Sequence, residues 1–395
     1  MYHTEAFLGT IINKKIIDKK SEIPFKRIHT MDIQFTYIDR EDALLKASES
    51  WKHAKELGID IECENNLHRY GAYISIIQIS SKTDSWIIDV LRLKKITPLL
   101  RVLEDSSVQK IFHDTGFDLS MIYHMFKCRV KNIFDTQIAA QLLGEEEIGL
   151  SQLLKKHFNV EKKSKFKTVD WTIRPIKKEM LDYALKDTLY LIRLRDILKQ
   201  SLEKKGRLAW AEEEFKTIED KEPEYREGGF MDISGATHLT DMQRGILKHV
   251  FMAREKMAKA ANRPVYFILT PKQMVEIAQR PPSLQGWKEM RSVHPIVRAQ
   301  AKAFFDAVSE GRKDPVPLQP FVRTRYTHNQ MVGFIKLGET RDAIAERLGI
   351  KKHLVMSKDQ IRDIVITGKL DCLKRWQREL VESESQNGSK NIDRA

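Results

Sequence analysis

Three short motifs carry side chains that could do chemistry together. In the run GIDIECE, Asp60 and Glu62 stand two residues apart. On a strand that spacing puts both carboxylates on one face, while Ile59 and Ile61 turn to the other. Two converging acids over a buried apolar face suit a hard divalent cation such as Mg²⁺ or Mn²⁺. In KIFHDTGFDLSMIYHMF a strand ends at His113, and a turn through Thr115 and Gly116 opens a helix that carries Asp118. In MLDYALKDTLYLIRLRDIL, Tyr183 and Asp187 are four apart and share one helix face. Singly, each has a plainer explanation: a solvated strand face, an acid favoured by a helix dipole, an amphipathic helix with a boundary tyrosine. In order, within one domain, they make four carboxylates and a phenol.

Those motifs need an α/β frame, and the chain supplies one from about Ile33 to Lys216. GIDIECE, AYISIIQIS, SWIIDV and VQKIFHD are short and β-branched and read as strands. REDALLKASESWKHAKEL, LKKITPLLRVLED, FDLSMIYHMF and DTQIAAQLLG place apolar residues at three- and four-residue spacing and read as helices. The segment EDKEPEYREGGFMDISG is acidic and glycine-bearing with little periodicity, so it reads as a linker. Beyond it, helix signals dominate. One helix is capped at Thr240 or Asp241 and closes before Pro264, and a second is capped at Thr270 with Pro271 in its first position. A third, PIVRAQAKAFFDAVSEG, ends at Gly311, and TRDAIAERLGI, SKDQIRDIVITG and LKRWQREL follow a proline-rich connection. The expected division is an N-terminal extension (1–30), the α/β domain (31–218), the linker (219–235), helical regions at 236–312 and 313–382, and a disordered tail (383–395).

Bulk properties agree. A chain of 395 residues exceeds what a single core usually organises. No apolar run approaches the roughly 20 residues of a membrane helix, and the N-terminal residues resemble neither a secretory nor an organellar address. Cys63, Cys128 and Cys372 are far apart with no CxxC pair, which argues against a disulfide framework or a structural zinc site and favours a reducing cytoplasm. The net charge of +13 is unevenly spread: residues 151–200 hold 13 Lys/Arg against 6 Asp/Glu, and residues 251–300 hold 9 against 3. Two basic zones fit a polyanion track better than a uniformly basic surface does.

The motifs and the text around them (SIIQIS, NIFDTQIAAQLLG, VDWTIRPIKKEMLDYALKDTLYL, GRLAWAEEEF) closely resemble ribonuclease D, of the tyrosine-bearing branch of the DEDD exonucleases. Leu239 to Glu310 resembles the helicase-and-RNase-D C-terminal (HRDC) domain, and residues 320–380 a more diverged copy. The resemblance implies a ribonuclease-H-like mixed-sheet exonuclease domain followed by one or two all-helical HRDC-like domains. It implies a 3′-to-5′ exoribonuclease acting on transfer RNA precursors and other small structured RNAs, with two Mg²⁺ or Mn²⁺ ions held by Asp60, Glu62, Asp118 and Asp187. A neutral phenol with an ordinary pKa of about 10 is a poor base, so Tyr183 is expected to orient the attacking water. A DNA exonuclease and an inactive nucleic-acid-binding protein are the alternatives. Candidate nucleic-acid contacts are His68 and Tyr70 beyond the metal platform, His113, Lys163, Lys165 and Lys167 in a lysine cluster, Arg174 in RPIKK, and Arg254 and Lys259 along the long helix. A monomer is the expected form.

Overall fold

The computed structural model describes residues 34–161, 166, 168–319 and 325–392, with side chains to 384. The α/β domain begins with β1 (Thr36–Ile38), α1 (Glu41–Lys52), β2 (Glu56–Asn65), β3 (Ala72–Ser80) and β4 (Ser85–Asp89). It continues with α2 (Thr97–Glu104), β5 (Gln109–Phe112), α3 (Thr115–Phe126), β6 (Ile133–Asp135), α4 (Thr136–Leu143) and α5 (Leu150–Phe158). Three helices, α6 (Lys178–Thr188), α7 (Leu191–Lys204) and α8 (Leu208–Asp220), complete it. The helix expected to run through Glu56 and Leu57 stops at Lys52, because those two residues already belong to β2 and Leu57 is needed in the sheet core.

The six strands lie in the order β1-β4-β3-β2-β5-β6. Pairings β2–β3 and β3–β4 are antiparallel, whereas β1–β4, β2–β5 and β5–β6 are parallel, so the sheet is mixed. One face presents Ile59, Ile61, Ile77, Ile79 and Ile88, packed with Leu44, Trp51, Leu99 and Met121 from α1, α2 and α3. The other presents Gly58, Asp60 and Glu62 on β2 opposite Ser80, Gln78 and Ile76 on β3, and α6 and α7 cover it. Ser80 Oγ lies 2.7 Å from Thr188 Oγ1 on α6. A Cβ at Gly58 would come within 2.8 Å of the Thr188 carbonyl, so glycine lets the helix layer approach the strand that carries the acids.

The helical half contains α9 (Asp241–Ala261), α10 (Val265–Ile268), α11 (Pro271–Gln279), α12 (Leu284–Glu289), α13 (Pro295–Ala299) and α14 (Ala301–Lys313). Then come α15 (His328–Leu348), α16 (Lys352–Val355), α17 (Lys358–Thr367) and α18 (Arg375–Ile392). The single helix expected from Pro295 to Gly311 is two, broken at Gln300. Where a disordered tail was expected from residue 383, α18 continues to Ile392; Val381 is buried in the local core and Arg347 pairs with Glu384 at 2.7 Å, which anchors this last helix. The two helical regions share a plan. Each opens with a 21-residue helix behind a Thr–Gln capping box, follows with a four-residue helix, and continues with a helix behind a second capping box, Thr270–Gln273 in one and Ser357–Gln360 in the other.

The second helical region is anchored on the α/β domain. Trp376 stacks on Trp210 at 4.9 Å and donates to Glu214, Glu213 accepts from the Arg375 and Trp376 amides, and Arg207 bridges the Leu142 and Leu348 carbonyls. Gly144, at φ +81°, sits in this seam, where a Cβ would fall 2.0 Å from the Gly349 carbonyl oxygen. Gly144→Ala combines a left-handed backbone with this overlap, so urea unfolding should show a loss of about 2–4 kcal/mol. A loss under about 0.5 kcal/mol would mean that the seam is not held in this form.

Candidate active site

β2 delivers Asp60 and Glu62 to the face beneath α6, and α6 returns Tyr183 and Asp187 from one of its own faces, so strand and helix periodicity meet at one place. One carboxylate oxygen from each of Asp60, Glu62 and Asp187 lies within 4.8 Å of the others. Asp118 enters from the first turn of α3 and is buried; burial, then the charges of Asp60 and Glu62, push its carboxyl well above the usual range. Burial, then Glu62 and Asp60, likewise push the Tyr183 phenol up to about 12. Both shifts come first from burial and then from neighbouring carboxylates, and a set of hard oxygen donors crowded this closely fits divalent cations. Cys63 stands beside the platform as a thiol held protonated by burial, then by Asp118, Glu62 and Asp60.

Tyr183 is held by aromatic neighbours, with the Phe166 ring centroid at 5.4 Å and that of Trp171 at 6.4 Å. Trp171 is fixed in turn: its carbonyl accepts from Ser75 Oγ on β3 and from Arg174 Nη1, each at 2.6 Å. Arg174 also forms a two-point pair with Asp89, at 2.6 and 2.8 Å. This guanidinium, expected among the phosphate contacts, is instead committed to a buried carboxylate that ties the segment before α6 to the sheet.

Asp135 was not singled out from the sequence. Its carboxylate accepts from the amides of Thr115 (2.8 Å), Gln137 (2.7 Å) and Ile138 (3.2 Å), so one side chain caps both α3 and α4 and sets where α3 begins relative to Asp118. The signal was an Asp before Thr in IFDTQIAAQLL, an N-cap arrangement whose reach to a second helix depends on tertiary packing. His113 is held at the end of β5. Its Nδ1 lies 2.9 Å from Thr136 Oγ1, whose hydroxyl donates to the Phe112 carbonyl, so the ring nitrogen is the donor.

The β2–β3 loop leaves this platform and is gripped by the helical half. Glu64 accepts from the Leu67 and His68 amides and lies 3.5 Å from His68 Nδ1, and Arg69 pairs with Asp170 at 3.4 Å. Glu64, His68 and Asp170 offer ligand atoms within 4.8 Å of one another, but Glu64 is committed to backbone amides and Arg69 supplies the counter-charge, so the cluster braces the loop. Tyr225 donates to Asn65, Asn262 accepts from the Tyr70 amide, and Tyr266 donates to the Leu67 carbonyl at 2.9 Å. The Tyr70 side chain packs on the core of the first helical region. Arg254, expected on a phosphate-tracking face, is only 5% exposed, pairs with Glu255 at 2.7 Å and lies over Phe251. The geometry thus gives Tyr70 and Arg254 contacts within the protein, while Lys259 stays exposed. Lys163, Lys165 and Lys167 lie outside the described residues. Removing one hydroxyl tests the grip: Tyr266→Phe should cost about 1 kcal/mol locally and speed hydrogen exchange at residues 65–71 roughly fivefold. Unchanged exchange there would show that the loop holds without this bond.

Residues 35–203 match the family model described as 3′-5′ exonuclease, and residues 243–309 match the HRDC domain. The chain carries a 3′-5′ exonuclease domain followed by an HRDC domain. All four carboxylates and the tyrosine fall within the exonuclease domain, and the loop-gripping Asn262 and Tyr266 within the HRDC domain. The human protein named exosome complex component 10 is 27% identical over 296 residues, covering 71% of this chain and 33% of that protein. The exosome complex exonuclease RRP6 of Saccharomyces cerevisiae is 28% identical over 212 residues, covering 53% of this chain and 28% of its own. The chain thus spans about a third of the length of the curated relatives it matches. Among solved structures, Escherichia coli RNase D, titled an exoribonuclease involved in structured RNA processing, superposes with a TM-score of 0.67 at 22% identity, covering 90% of this chain and 99% of that one. The catalytic core of RRP6 from Trypanosoma brucei gives 0.62 at 24%, covering 71% and 80%. These likenesses establish the fold of the exonuclease and helical halves together. No described helix is long and apolar enough to cross a membrane.

Proposed function

We propose that this chain is a hydrolase of the ribonuclease D type, an exoribonuclease that shortens RNA from the 3′ end and releases nucleoside 5′-monophosphates. The observation that carries this reading is the meeting of Asp60, Glu62 and Asp187 within 4.8 Å beside a buried Asp118 and Tyr183. Asp60, Glu62, Asp118 and Asp187 would hold two divalent ions, Mg²⁺ or Mn²⁺. Such ions, when bound, lower the pKa of a water and draw charge from the scissile phosphate. The protein's own part is to place groups. The four carboxylates would set where those ions sit on the β2 platform, and Tyr183, neutral throughout the physiological range, donates or accepts a hydrogen bond to align the attacking water. Exposed Lys259 and the basic residues of 151–200 and 251–300 offer phosphate contacts, with His68 in the β2–β3 loop beside the platform. The shared plan of α9–α11 and α15–α17 supports a second, diverged HRDC-like region at 313–382.

Transfer RNA precursors and other small structured RNAs in a reducing cytoplasm, acted on by a monomer, complete the proposal. The test is incubation with 3′-extended transfer RNA, mature transfer RNA and single-stranded DNA, with and without chelator. Metal-dependent release of mononucleotides from the extended RNA is expected. Equal or faster digestion of the DNA would move the assignment to a DNA exonuclease, and no release from any polymer would overturn it.

A further inference from the structure

Gln78 is a polar residue in a place that favours an apolar one. It lies in the middle of β3, in the run Ile76–Ile77–Gln78–Ile79, and its side chain is fully buried at 0% exposure. Among the described residues, neither its amide nitrogen nor its amide oxygen has a hydrogen-bond partner. A buried amide left unpaired costs roughly 1–3 kcal/mol, and an isoleucine or leucine at the same place would cost nothing of the kind.

Its neighbours indicate what the amide is for. Gln78 pairs directly with Asp60 across the antiparallel β2–β3 ladder, and directly opposed residues project to the same face with Cβ atoms about 5 Å apart. Ser80, two residues on and on that same face, bonds Thr188 of α6 at 2.7 Å, so this row runs beneath the helix that supplies Tyr183 and Asp187. Ile76, the next residue on that face in the other direction, opposes Glu62 and has no polar atom to offer. Gln78 is therefore the one amide of this row next to the carboxylates, and an amide N–H is a donor suited to a carboxylate oxygen.

We propose that Gln78 is a positioning residue for the metal platform, its amide donating to the Asp60 carboxylate and fixing that carboxylate's orientation when divalent ions are bound. Metal ligands held by such outer partners lose about tenfold to a hundredfold in metal affinity when the partner is removed. The amide is kept despite its cost in the metal-free protein because the bond is made in the loaded one. This inference rests on the metal reading given above.

Mn²⁺ binding to the full chain without RNA, measured by titration calorimetry and by the electron spin resonance of free Mn²⁺, tests it. Gln78→Leu should raise the Mn²⁺ dissociation constant about tenfold or more, leave the melting temperature in chelator unchanged or higher, and lower kcat with little change in KM for RNA. Gln78→Met, with a flexible side chain of similar length, should behave alike and guards against a packing fault specific to leucine. A dissociation constant within twofold of the parent for both variants would overturn the proposal. So would a loss of melting temperature in chelator that parallels the loss of Mn²⁺ binding, since that places Gln78 in packing alone. Asp60→Asn separates the two readings: if it binds Mn²⁺ normally, the metal reading itself fails, whereas if it loses binding while the Gln78 variants keep it, only the role of Gln78 fails.

Discussion

Asp60→Asn should lower the rate of 3′-end trimming by roughly four orders of magnitude, equivalent to about 5.5 kcal/mol of transition-state stabilisation. The substitution keeps the size and packing of the side chain and removes one charge from a group with an oxygen within 4.8 Å of an oxygen of Glu62 and of Asp187. Removing that charge also relieves the repulsion that holds the Asp118 carboxyl high, because Asp60 is the largest charge acting on it after burial. The variant protein should therefore be at least as stable in chelator as its parent while being nearly inactive with metal. A single-turnover assay at saturating RNA and a thermal melt measure the two quantities. Activity within tenfold of the parent would remove Asp60 from the ligand set.

Tyr183→Phe is the second large effect expected, a fall of roughly 10²–10³ in kcat, in the range attributed to one positioned proton-handling group. The ring stays, so its contacts with Phe166 and Trp171 stay, and only the hydroxyl is lost. RNA affinity and Mn²⁺ affinity should hardly change. The pH dependence separates the possible roles. A phenol with a pKa pushed up to about 12 is fully protonated between pH 7 and 9, so neither parent nor variant should show a limb of the pH–rate profile caused by its ionisation in that range. If Tyr183 were the base, the parent's rate would rise tenfold per pH unit across that window and the variant's would not.

Much of this arrangement was legible because it depends on local periodicity. Asp60 and Glu62 are displayed by a strand whose β-branched neighbours leave little choice of secondary structure, and Tyr183 and Asp187 by a helix with a four-residue repeat. The remainder depends on contacts distant in sequence. Arg174 and Arg254 look like surface cations in a basic stretch, yet Arg174 is taken by Asp89, 85 positions away, and Arg254 is 5% exposed beside its neighbour Glu255, buried by packing that its own stretch of sequence does not show. Tyr70 has the composition of a base-stacking residue, and its ring is taken up by the helical core more than 150 residues later. Asp135 and Gln78 escaped attention for opposite reasons. The first resembled an ordinary helix cap, and the second was hidden in a run of isoleucines, where only the strand register shows that it faces Asp60.

The bonds from Asn262 and Tyr266 to the β2–β3 loop should couple heat resistance to turnover. The exonuclease sheet and the HRDC helices have separate cores and can melt at separate temperatures. The loop beside the carboxylates belongs to the first domain by sequence and to the second by its restraints. On warming, enzymatic inactivation should therefore follow the melting of the HRDC helices, even where circular dichroism still reports an intact sheet. The temperature ceiling for trimming would then be set by a domain that contributes neither the four carboxylates nor Tyr183.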